Sequence, residues 1–473
     1  MYELWISLWI LALPAQSFVR MPTLGSDGVA GRPERAEIPR MSRCVMQTRQ
    51  ATGPSADSRG VRASPVVSLT AAFEQKSPTA TLQELSDIAA ALNLEEQDVY
   101  GKGASWMSDF EAEVASLLGK EEAMFCPSGV MAQLIALKIH AGERGQGTPR
   151  GSSGSSGGSF LCHPSSHLLL HEESAHQELL DVRAVPVGTM KAPASLEDLR
   201  EALETPIDSE EGRDGRFSGV PPSCFVLELP HRELGGACTP GEDIKAMSAL
   251  LKARGLAFHC DGARLWEAQP FYQEPLHDLC EGFDSVYVSF YKGLGGMTGA
   301  MLVGTAGFIA EARIWLRRFG GNVFTSLPYA VSCLQAFHTQ KDTFAERWDR
   351  MKRVTGLLQG LFAEHFSSPA RVRFEPATPQ CSMVHCYIRG SQALLEHARD
   401  EVLDETGVGV FSRLRGVCGQ GSSGRPDECY FEWNMGPANG AIEDEVFVDA
   451  WRRFIETIER HEDCQDLESR ARG

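Results

Sequence analysis

The chain has 473 residues, and its 63 acidic side chains outnumber its 45 basic ones, which gives a formal net charge of −18. This length accommodates a leader and two packed domains, and a negative charge spread along the chain argues against a nucleic-acid-binding surface and fits a soluble enzyme. The 13 cysteines are odd in number and include no C-x-x-C pair, so we interpret them as reduced core thiols and expect neither a disulfide framework nor a zinc site.

The first 65 residues are predicted to form a leader outside the fold. Residues 4–13 are an apolar run too short to span a membrane comfortably, and a segment that suits cleavage follows at 14–17. Residues 20–62 contain eight arginines and four acidic residues, a composition typical of transit peptides. The arrangement resembles the bipartite plastid leaders of some algae. We expect import into an organelle or secretory entry, with the cytoplasm as the alternative, and no membrane partner after leader removal.

Strands and helices alternate between residues 120 and 305. The hydrophobic pattern predicts strands at 123–126, 159–162, 183–187, 224–229, 255–260 and 285–290, and helices at 82–92, 108–118, 131–140, 195–203 and 240–254. Ser108 and Glu111 are spaced as a capping box at the start of one of these helices. The alternation predicts an α/β fold with a doubly wound, mostly parallel sheet.

The remaining segments are predicted loops and a second, smaller domain. Residues 143–160 form a low-complexity insertion, and residues 206–219 form an acidic surface loop. Strands are predicted near 372–374, 382–388 and 429–433, and an exposed terminal helix at 443–459. We therefore predict a large domain at 80–330 and a smaller C-terminal α/β domain at 331–473.

Asp261 and Lys292 each follow a predicted strand of the large domain. Pyridoxal 5′-phosphate (PLP) needs both groups, because a lysine amine holds the cofactor as a Schiff base and a carboxylate keeps the pyridine nitrogen protonated. Ligands in open α/β sheets bind beyond the carboxyl ends of strands, where both residues lie. The alternative is an ordinary Asp-Gly turn and a lysine in a solvated loop.

Two further features of the large domain concern an anion and a metal ion. Residues Ser128-Gly129-Val130 turn directly from a strand into a helix, and such a turn offers free amides to a phosphate. Four histidines lie between positions 163 and 176, and the spacing of His167 and His171 is compatible with a metal site. We predict no metal, because no H-E-x-x-H motif is present.

Two segments carry a resemblance to a known family. DGARLWEA, from Asp261 to Ala268, and KGLGGMTGAMLVG, from Lys292 to Gly304, resemble the signatures of L-threonine aldolases and related β-eliminating lyases. Further matches follow in order over roughly half of the chain. The resemblance implies a PLP-dependent transferase-like (fold type I) large domain, and a homodimer or homotetramer with its sites at the dimer interface.

The resemblance also implies roles for the cofactor-binding residues. Lys292 would be the Schiff-base lysine, and Asp261 would face the pyridine nitrogen. The Ser128-Gly129-Val130 turn would bind the phosphate. Ser289 is the candidate for a serine that the family often has directly before its lysine. His167, which lies five residues before Glu172, would stack on the pyridine ring and act in catalysis.

Three more residues are implied to act on the substrate. His231 would reach the phenolic side of the cofactor or the substrate hydroxyl. Arg264 would bind the substrate carboxylate through its bidentate fork. Tyr100, in a segment that resembles the DVYG of threonine aldolases, would help to build the site across the dimer interface.

The chain departs from the family pattern in segments that handle the substrate. Leu229 and Pro230 replace an Asn-Thr pair before His231, and Phe324 stands where the family has an arginine. The last strand has Glu432 and no arginine, although threonine aldolases usually place a second carboxylate-binding arginine there. A buried glutamate here would repel an amino-acid carboxylate, unless it attracts a cation or contacts solvent.

We expect a PLP-dependent lyase that cleaves a small β-hydroxy amino acid to glycine and an aldehyde. A base, either His167, His231 or a water molecule, would take the hydroxyl proton. Because the second arginine is missing, β-elimination, racemisation and transamination are alternatives. A catalytically silent scaffold is a further alternative, and it would bind no cofactor.

Overall fold

In a computed structural model, the chain is described over residues 66–102, 104–145, 158–205, 221–365, 371–416 and 428–472. The predicted leader, most of the predicted insertion and the predicted loop at 206–219 lie outside these residues. In the described part of the chain, no helix is both long enough and apolar enough to cross a membrane.

Thirteen strands are formed by the described residues. They are β1 (Val67–Ser68), β2 (Glu122–Cys126), β3 (Ser159–Cys162), β4 (Arg183–Pro186), β5 (Pro222–Glu228), β6 (Ala257–Gly262), β7 (Ser285–Ser289), β8 (Ala300–Gly304), β9 (Val372–Glu375), β10 (Met383–Arg389), β11 (Val408–Gly409), β12 (Arg415–Gly416) and β13 (Glu428–Asn434).

Fifteen α-helices accompany the strands in the same described ranges. They are α1 (Pro78–Ala91), α2 (Ser105–Leu117), α3 (Gly129–Gly145), α4 (His167–Leu170), α5 (Ala175–Glu178), α6 (Leu196–Glu204), α7 (Gly241–Arg254), α8 (Leu265–Tyr272), α9 (Leu276–Cys280), α10 (Ala306–Arg318), α11 (Leu327–Gln340), α12 (Phe344–His365), α13 (Gln392–Thr406), α14 (Pro437–Gly440) and α15 (Asp444–Arg472).

The largest sheet formed by the described residues has seven strands in the order β2-β8-β7-β6-β5-β3-β4, and it lies within the predicted large domain. Neighbouring strands from β4 to β7 pair in parallel, and β8 runs antiparallel to both β2 and β7. All residues of β7 and β8 are buried, as expected for strands covered by helices on both faces. The predicted mostly parallel α/β sheet is confirmed.

A second sheet is antiparallel and has the order β12-β13-β10-β9. Its apolar face packs against α12, α13 and α15 in a separate hydrophobic cluster. The ring of Trp451 on α15 stacks against that of Trp433 on β13 at 6.3 Å. The expectation of an exposed terminal helix is therefore wrong, because α15 buries an apolar face on this sheet. The domain boundary at residue 331 stays a prediction.

Several predicted boundaries shift by a few residues. β6 extends to Gly262, so Asp261 lies inside the strand and not after it. α2 begins at Ser105, and the predicted capping box is absent from it. The carboxylate of Glu111 instead accepts from the backbone N–H of Phe125 at 2.8 Å and pairs with Arg313 at 2.7 Å. The ten cysteines with described side chains are free and buried, as predicted for core thiols.

Candidate active site

The carboxyl ends of five strands meet at one edge of the central sheet. β3, β5, β6 and β7 are parallel, and β2 shares their direction because β8 is antiparallel to both β2 and β7. Ser128 follows β2, His167 follows β3, His231 follows β5 and Lys292 follows β7, while Asp261 is the next-to-last residue of β6. The fold brings these residues to the edge at which open α/β sheets bind ligands.

Asp261 and Glu228 are two buried carboxylates that lie side by side in the register of β5 and β6. Burial acts to raise the pKa of Glu228, but His231 and backbone N–H donors from Arg232 and His167 hold it below its usual value. Burial and then the charge of Glu228 raise the pKa of Asp261 to about 7. A cation beside Asp261 would keep it ionised.

Lys292 lies in a tightly packed loop after β7. Burial, and then the nearby Arg264, lower the pKa of its amine to about 8, although Asp261 acts in the opposite direction. About a tenth of the amine is therefore neutral and nucleophilic at pH 7. A Cβ atom on the next residue, Gly293, would lie 2.6 Å from Oε1 of Glu267, so this position requires glycine.

The His167 ring is oriented by Glu172, as the five-residue spacing predicts. Nδ1 of His167 lies 3.0 Å from Oε1 of Glu172, and an ionised carboxylate can only accept. Nδ1 therefore carries the proton, which leaves Nε2 of a neutral His167 as an acceptor. The side chain is 26% exposed, so a small molecule at the sheet edge can reach this nitrogen.

His231 belongs to a buried chain of hydrogen-bonding groups. Its Nε2 lies 2.9 Å from Oγ of Ser165, which is 2.9 Å from Nδ1 of His163. Nε2 of His163 faces the backbone oxygens of Thr189 and Ala192 at 2.7 and 3.0 Å, so it carries a proton. Burial and then His231 lower the pKa of His163 to about 4. This series of hydrogen bonds fixes the orientation of the His231 ring.

The predicted phosphate turn forms the N-terminus of α3. Oγ of Ser128 accepts from the backbone N–H of Met131 at 3.3 Å, and α3 begins at Gly129. The first N–H groups of a helix lack partners within the helix. A Cβ atom on Gly129 would lie 1.9 Å from the Tyr287 hydroxyl. Glycine therefore lets Tyr287 pack against the turn that is predicted to bind the phosphate.

Arg264 is the residue just before α8 and lies three positions after Asp261. Its side chain is 10% exposed, and Nε lies 3.8 Å from Oε1 of Glu267. This nitrogen is buried without a hydrogen-bond partner. Glu267 is itself buried, and it accepts from the Ser382 hydroxyl at 3.2 Å. A buried guanidinium thus lies near Lys292, and although burial acts to lower the pKa of Arg264, the nearby carboxylates of Glu267 and then Glu432 raise it.

Glu432, on β13, is surrounded by cations. Arg232 Nη2 lies 2.6 Å from its Oε1, and Arg415 Nη1 lies 3.6 Å from the same atom. Burial acts to raise the pKa of Glu432, but the neighbouring His385 and then Arg232 hold it far below its usual value. Glu432 is thus an ionised, neutralised group. Arg232 and Arg415, which the sequence pattern did not single out, therefore offset the repulsion that Glu432 was expected to exert on a substrate carboxylate.

Ser289 and Tyr100 are placed differently from the other predicted site residues. The Ser289 hydroxyl donates to the backbone oxygen of Ala263 at 2.7 Å, which ties the end of β7 to the loop after Asp261. Tyr100 is 45% exposed, and its ring packs edge-on against Phe324 at 5.4 Å. The guanidinium of Arg317 also lies over the Tyr100 ring, 5.5 Å from its centroid. The proposed roles of both residues stay predictions.

Sequence reasoning missed the groups that support the site. Glu228 was visible in the Glu-Leu-Pro-His segment at a strand end, but its pairing with Asp261 depends on the sheet register. The contact of Tyr287 with the Gly129 turn joins parts of the chain far apart in sequence. The same is true of Ser165 and His231. A pattern read along the chain does not contain these contacts.

The residues present fit PLP, which carries a phosphate, an aldehyde and a nitrogen that is positive when protonated. The start of α3 offers amides and a hydroxyl to the phosphate. Lys292 offers an amine with a lowered pKa to the aldehyde. Asp261 has a raised pKa, and a positive nitrogen would restore its charge.

A family model described as beta-eliminating lyase matches residues 76–368. The Arabidopsis thaliana protein named "Probable low-specificity L-threonine aldolase 2" is 30% identical over 292 residues, which are 60% of this chain and 75% of that protein.

Two solved structures are also similar to the chain. One, from Listeria monocytogenes EGD-E and provisionally named an L-allo-threonine aldolase, is 31% identical with a TM-score of 0.67, over 83% of this chain and 96% of that one. Another, from Exiguobacterium sp. 255-15, is provisionally named an aromatic amino acid beta-eliminating lyase/threonine aldolase. It is 28% identical with a TM-score of 0.69, over 83% of this chain and 97% of that one.

Proposed function

The chain belongs to the beta-eliminating lyase family and is a PLP-dependent lyase, and we propose that it cleaves the Cα–Cβ bond of a small β-hydroxy amino acid. The products are glycine and an aldehyde. The observation that carries the proposal is the arrangement of Lys292, Asp261, His167 and Arg264 around one sheet edge, in a chain similar to proteins named L-threonine aldolases.

Three parts of the site would hold PLP. Lys292 would attach it, Asp261 would pair with its ring nitrogen, and Ser128, Gly129 and Val130 would bind its phosphate. When bound, PLP supplies an electron sink for the bond that breaks at Cα. The protein supplies orientation, exclusion of water and the positions of protons.

Arg264 binds the carboxylate of the amino acid. Its guanidinium is buried, and Nε has no hydrogen-bond partner, so a carboxylate that enters would satisfy a donor that is otherwise unpaired. A bidentate pair with Arg264 fixes the orientation of the Cα–Cβ bond. Because Arg232 and Arg415 pair with Glu432 on β13, the charge of this glutamate does not oppose the binding of that carboxylate.

His167 takes the proton from the β-hydroxyl group. Its Nδ1 donates to Glu172, which leaves Nε2 as the acceptor and stabilises the charged ring that forms. His231 is less suited to this step, because it is 2% exposed and its Nε2 is already bonded to Ser165. We assign His231 to positioning, together with Ser165 and His163.

The active protein is a homodimer or a larger homo-oligomer. Val99, Tyr100 and Phe324 are 47%, 45% and 62% exposed, and their two loops are joined by a hydrogen bond from the Tyr100 N–H to the Phe324 oxygen at 2.8 Å. Exposed aromatic side chains on an ordered pair of loops favour contact with a second copy. Light scattering of the purified protein tests this, and a monomer at micromolar concentration would contradict it.

A product assay tests the proposed reaction. L-Threonine, L-allo-threonine, D-threonine and L-serine are each incubated with the PLP-loaded protein, and glycine, aldehyde, ammonia and the keto acid (2-oxobutyrate from threonine, pyruvate from serine) are measured. We expect equal amounts of glycine and acetaldehyde from a threonine isomer, and none from a Lys292→Ala variant. Ammonia and keto acid without glycine would overturn the proposal and identify β-elimination. His338→Ala, an exposed histidine on α11, serves as the control variant.

A further inference from the structure

Two histidines and a glutamate cluster on the C-terminal part of the chain, apart from the candidate active site. His397 and Glu401 lie on α13, and His461 lies on α15. One ligand atom from each residue lies within 4.8 Å of the other two. The described parts of α13 and α15 pack together over the four-stranded sheet.

The packing of the two helices fixes this cluster. His397 and Glu401 are four residues apart on α13, so they share one face of the helix. The adjacent face of α13 is buried through Ala398 and Val402. On α15, His461 lies one turn beyond the buried Ile458. The distance between the three side chains therefore follows from the apolar contact between the helices.

The ligand atoms have the spacing of a small metal site. Nε2 of His461 and Oε2 of Glu401 lie 2.8 Å apart, and the two imidazole rings lie 4.8 Å apart. Ligands at about 2.0–2.2 Å around a tetrahedral Zn²⁺ are about 3.4 Å from one another. Binding would bring the three ligand atoms, which lie within 4.8 Å of one another, to this spacing. The metal would replace the hydrogen bond between His461 and Glu401.

Arg460 is the cation that already contacts Glu401. Its Nη1 lies 2.9 Å from Oε1, and its side chain is 56% exposed. This contact uses the carboxylate oxygen that does not face His461, so Oε2 remains available as a ligand. His397 is exposed, which gives a metal ion a direct path from solvent.

We propose that His397, Glu401 and His461 bind a Zn²⁺ ion that joins α13 to α15, with a fourth position open to water. Two imidazole nitrogens favour Zn²⁺ over Mg²⁺ or Ca²⁺, which prefer oxygen ligands. The site has no part in the lyase reaction. The ion instead stabilises the packing of the two helices, because it binds the folded arrangement only.

The test uses the full-length, PLP-loaded protein after treatment with EDTA and removal of the chelator. Zn²⁺ is titrated against a chromophoric chelator to count equivalents bound, and the melting temperature is measured with and without Zn²⁺. His397→Ala is the decisive variant, since His397 is exposed and its loss removes no buried side chain. His461→Ala removes a second ligand. His338→Ala is the matched control, because His338 pairs with Glu113 at 2.7 Å as His461 does with Glu401.

We expect wild type and His338→Ala to bind one Zn²⁺ more than His397→Ala or His461→Ala. Loss of one ligand should weaken this site by more than about 100-fold, because loss of a group that only orients a ligand costs about 10–100-fold. The rise in melting temperature should disappear in both variants, and Mg²⁺ should not compete. Equal Zn²⁺ binding by wild type and His397→Ala, or no binding by wild type, would overturn the proposal.

Discussion

The buried carboxylate pair gives a prediction that can be worked out from the structure. Asp261 and Glu228 lie side by side, and Glu228 is stabilised by backbone donors that Asp261 does not share. A pKa that rises from 3.8 to about 7 corresponds to about 4 kcal/mol for keeping Asp261 ionised in the PLP-free fold. The change Asp261→Asn removes this cost.

The sign of the pH dependence follows from the direction of the pKa change. An aspartate in the unfolded chain ionises near pH 4, whereas Asp261 ionises near pH 7. The folded protein holds more protons between these values, so its stability falls as the pH rises through this window. The free energy of unfolding of the PLP-free Asp261→Asn variant, relative to that of wild type, should therefore be about 2–3 kcal/mol higher at pH 8 than at pH 5.

Urea unfolding of PLP-free protein at pH 5 and pH 8 measures this difference. Asp278→Asn is the control, because its side chain is 54% exposed and incurs no burial cost. The Asp261→Asn variant should also lose lyase activity by about 100-fold or more when PLP is added, since an amide cannot hold a positive ring nitrogen. If the difference in unfolding free energy between Asp261→Asn and wild type does not grow with pH, the reasoning about the carboxylate pair is refuted.

Three further predictions concern other parts of the site. His167→Gln should lower kcat by about 10²–10⁴-fold with little change in melting temperature, and an unchanged kcat in steady-state assays would remove His167 as the base. Arg264→Lys should raise KM for the amino acid by about tenfold or more, because a lysine cannot form the bidentate pair; an unchanged KM would place the carboxylate elsewhere. Gly129→Ala should weaken PLP binding in a titration, since the new Cβ would lie 1.9 Å from the Tyr287 hydroxyl. Gly356→Ala is its control, because an added Cβ there has no neighbour within 4 Å in the described part of the chain. Equal PLP affinity of the two variants would contradict the proposal that the Gly129 turn binds the phosphate.

The fold was predictable because its signals are local. Apolar runs and glycine stops locate most strands and helices to within a few residues, and Asp261 and Lys292 stand where strand ends meet. The predicted start of α2 is wrong because Glu111, which the sequence places as a capping partner, forms an ion pair with Arg313 on another helix. Local patterns cannot show such competition from distant residues.

The substrate side of the site was less predictable. Glu432 looked unfavourable along the chain, but Arg232 lies 2.6 Å from it in the fold. The sequence pattern names His231 as one candidate base, but it does not show the bond of His231 to Ser165, which depends on how β3 and β5 pair. Long-range contacts decide the charge of each group, and the sequence pattern does not contain them.

The central claim is that Lys292 holds PLP in a catalytic site, and reductive trapping tests it most directly. The purified protein is loaded with PLP, its visible absorbance is recorded, borohydride is added, and the labelled peptide is mapped. The account predicts a visible band that borohydride removes, with the label on the peptide that contains Lys292, and no such band in Lys292→Ala. A label on another lysine, or a protein that stays colourless with added PLP, would contradict it.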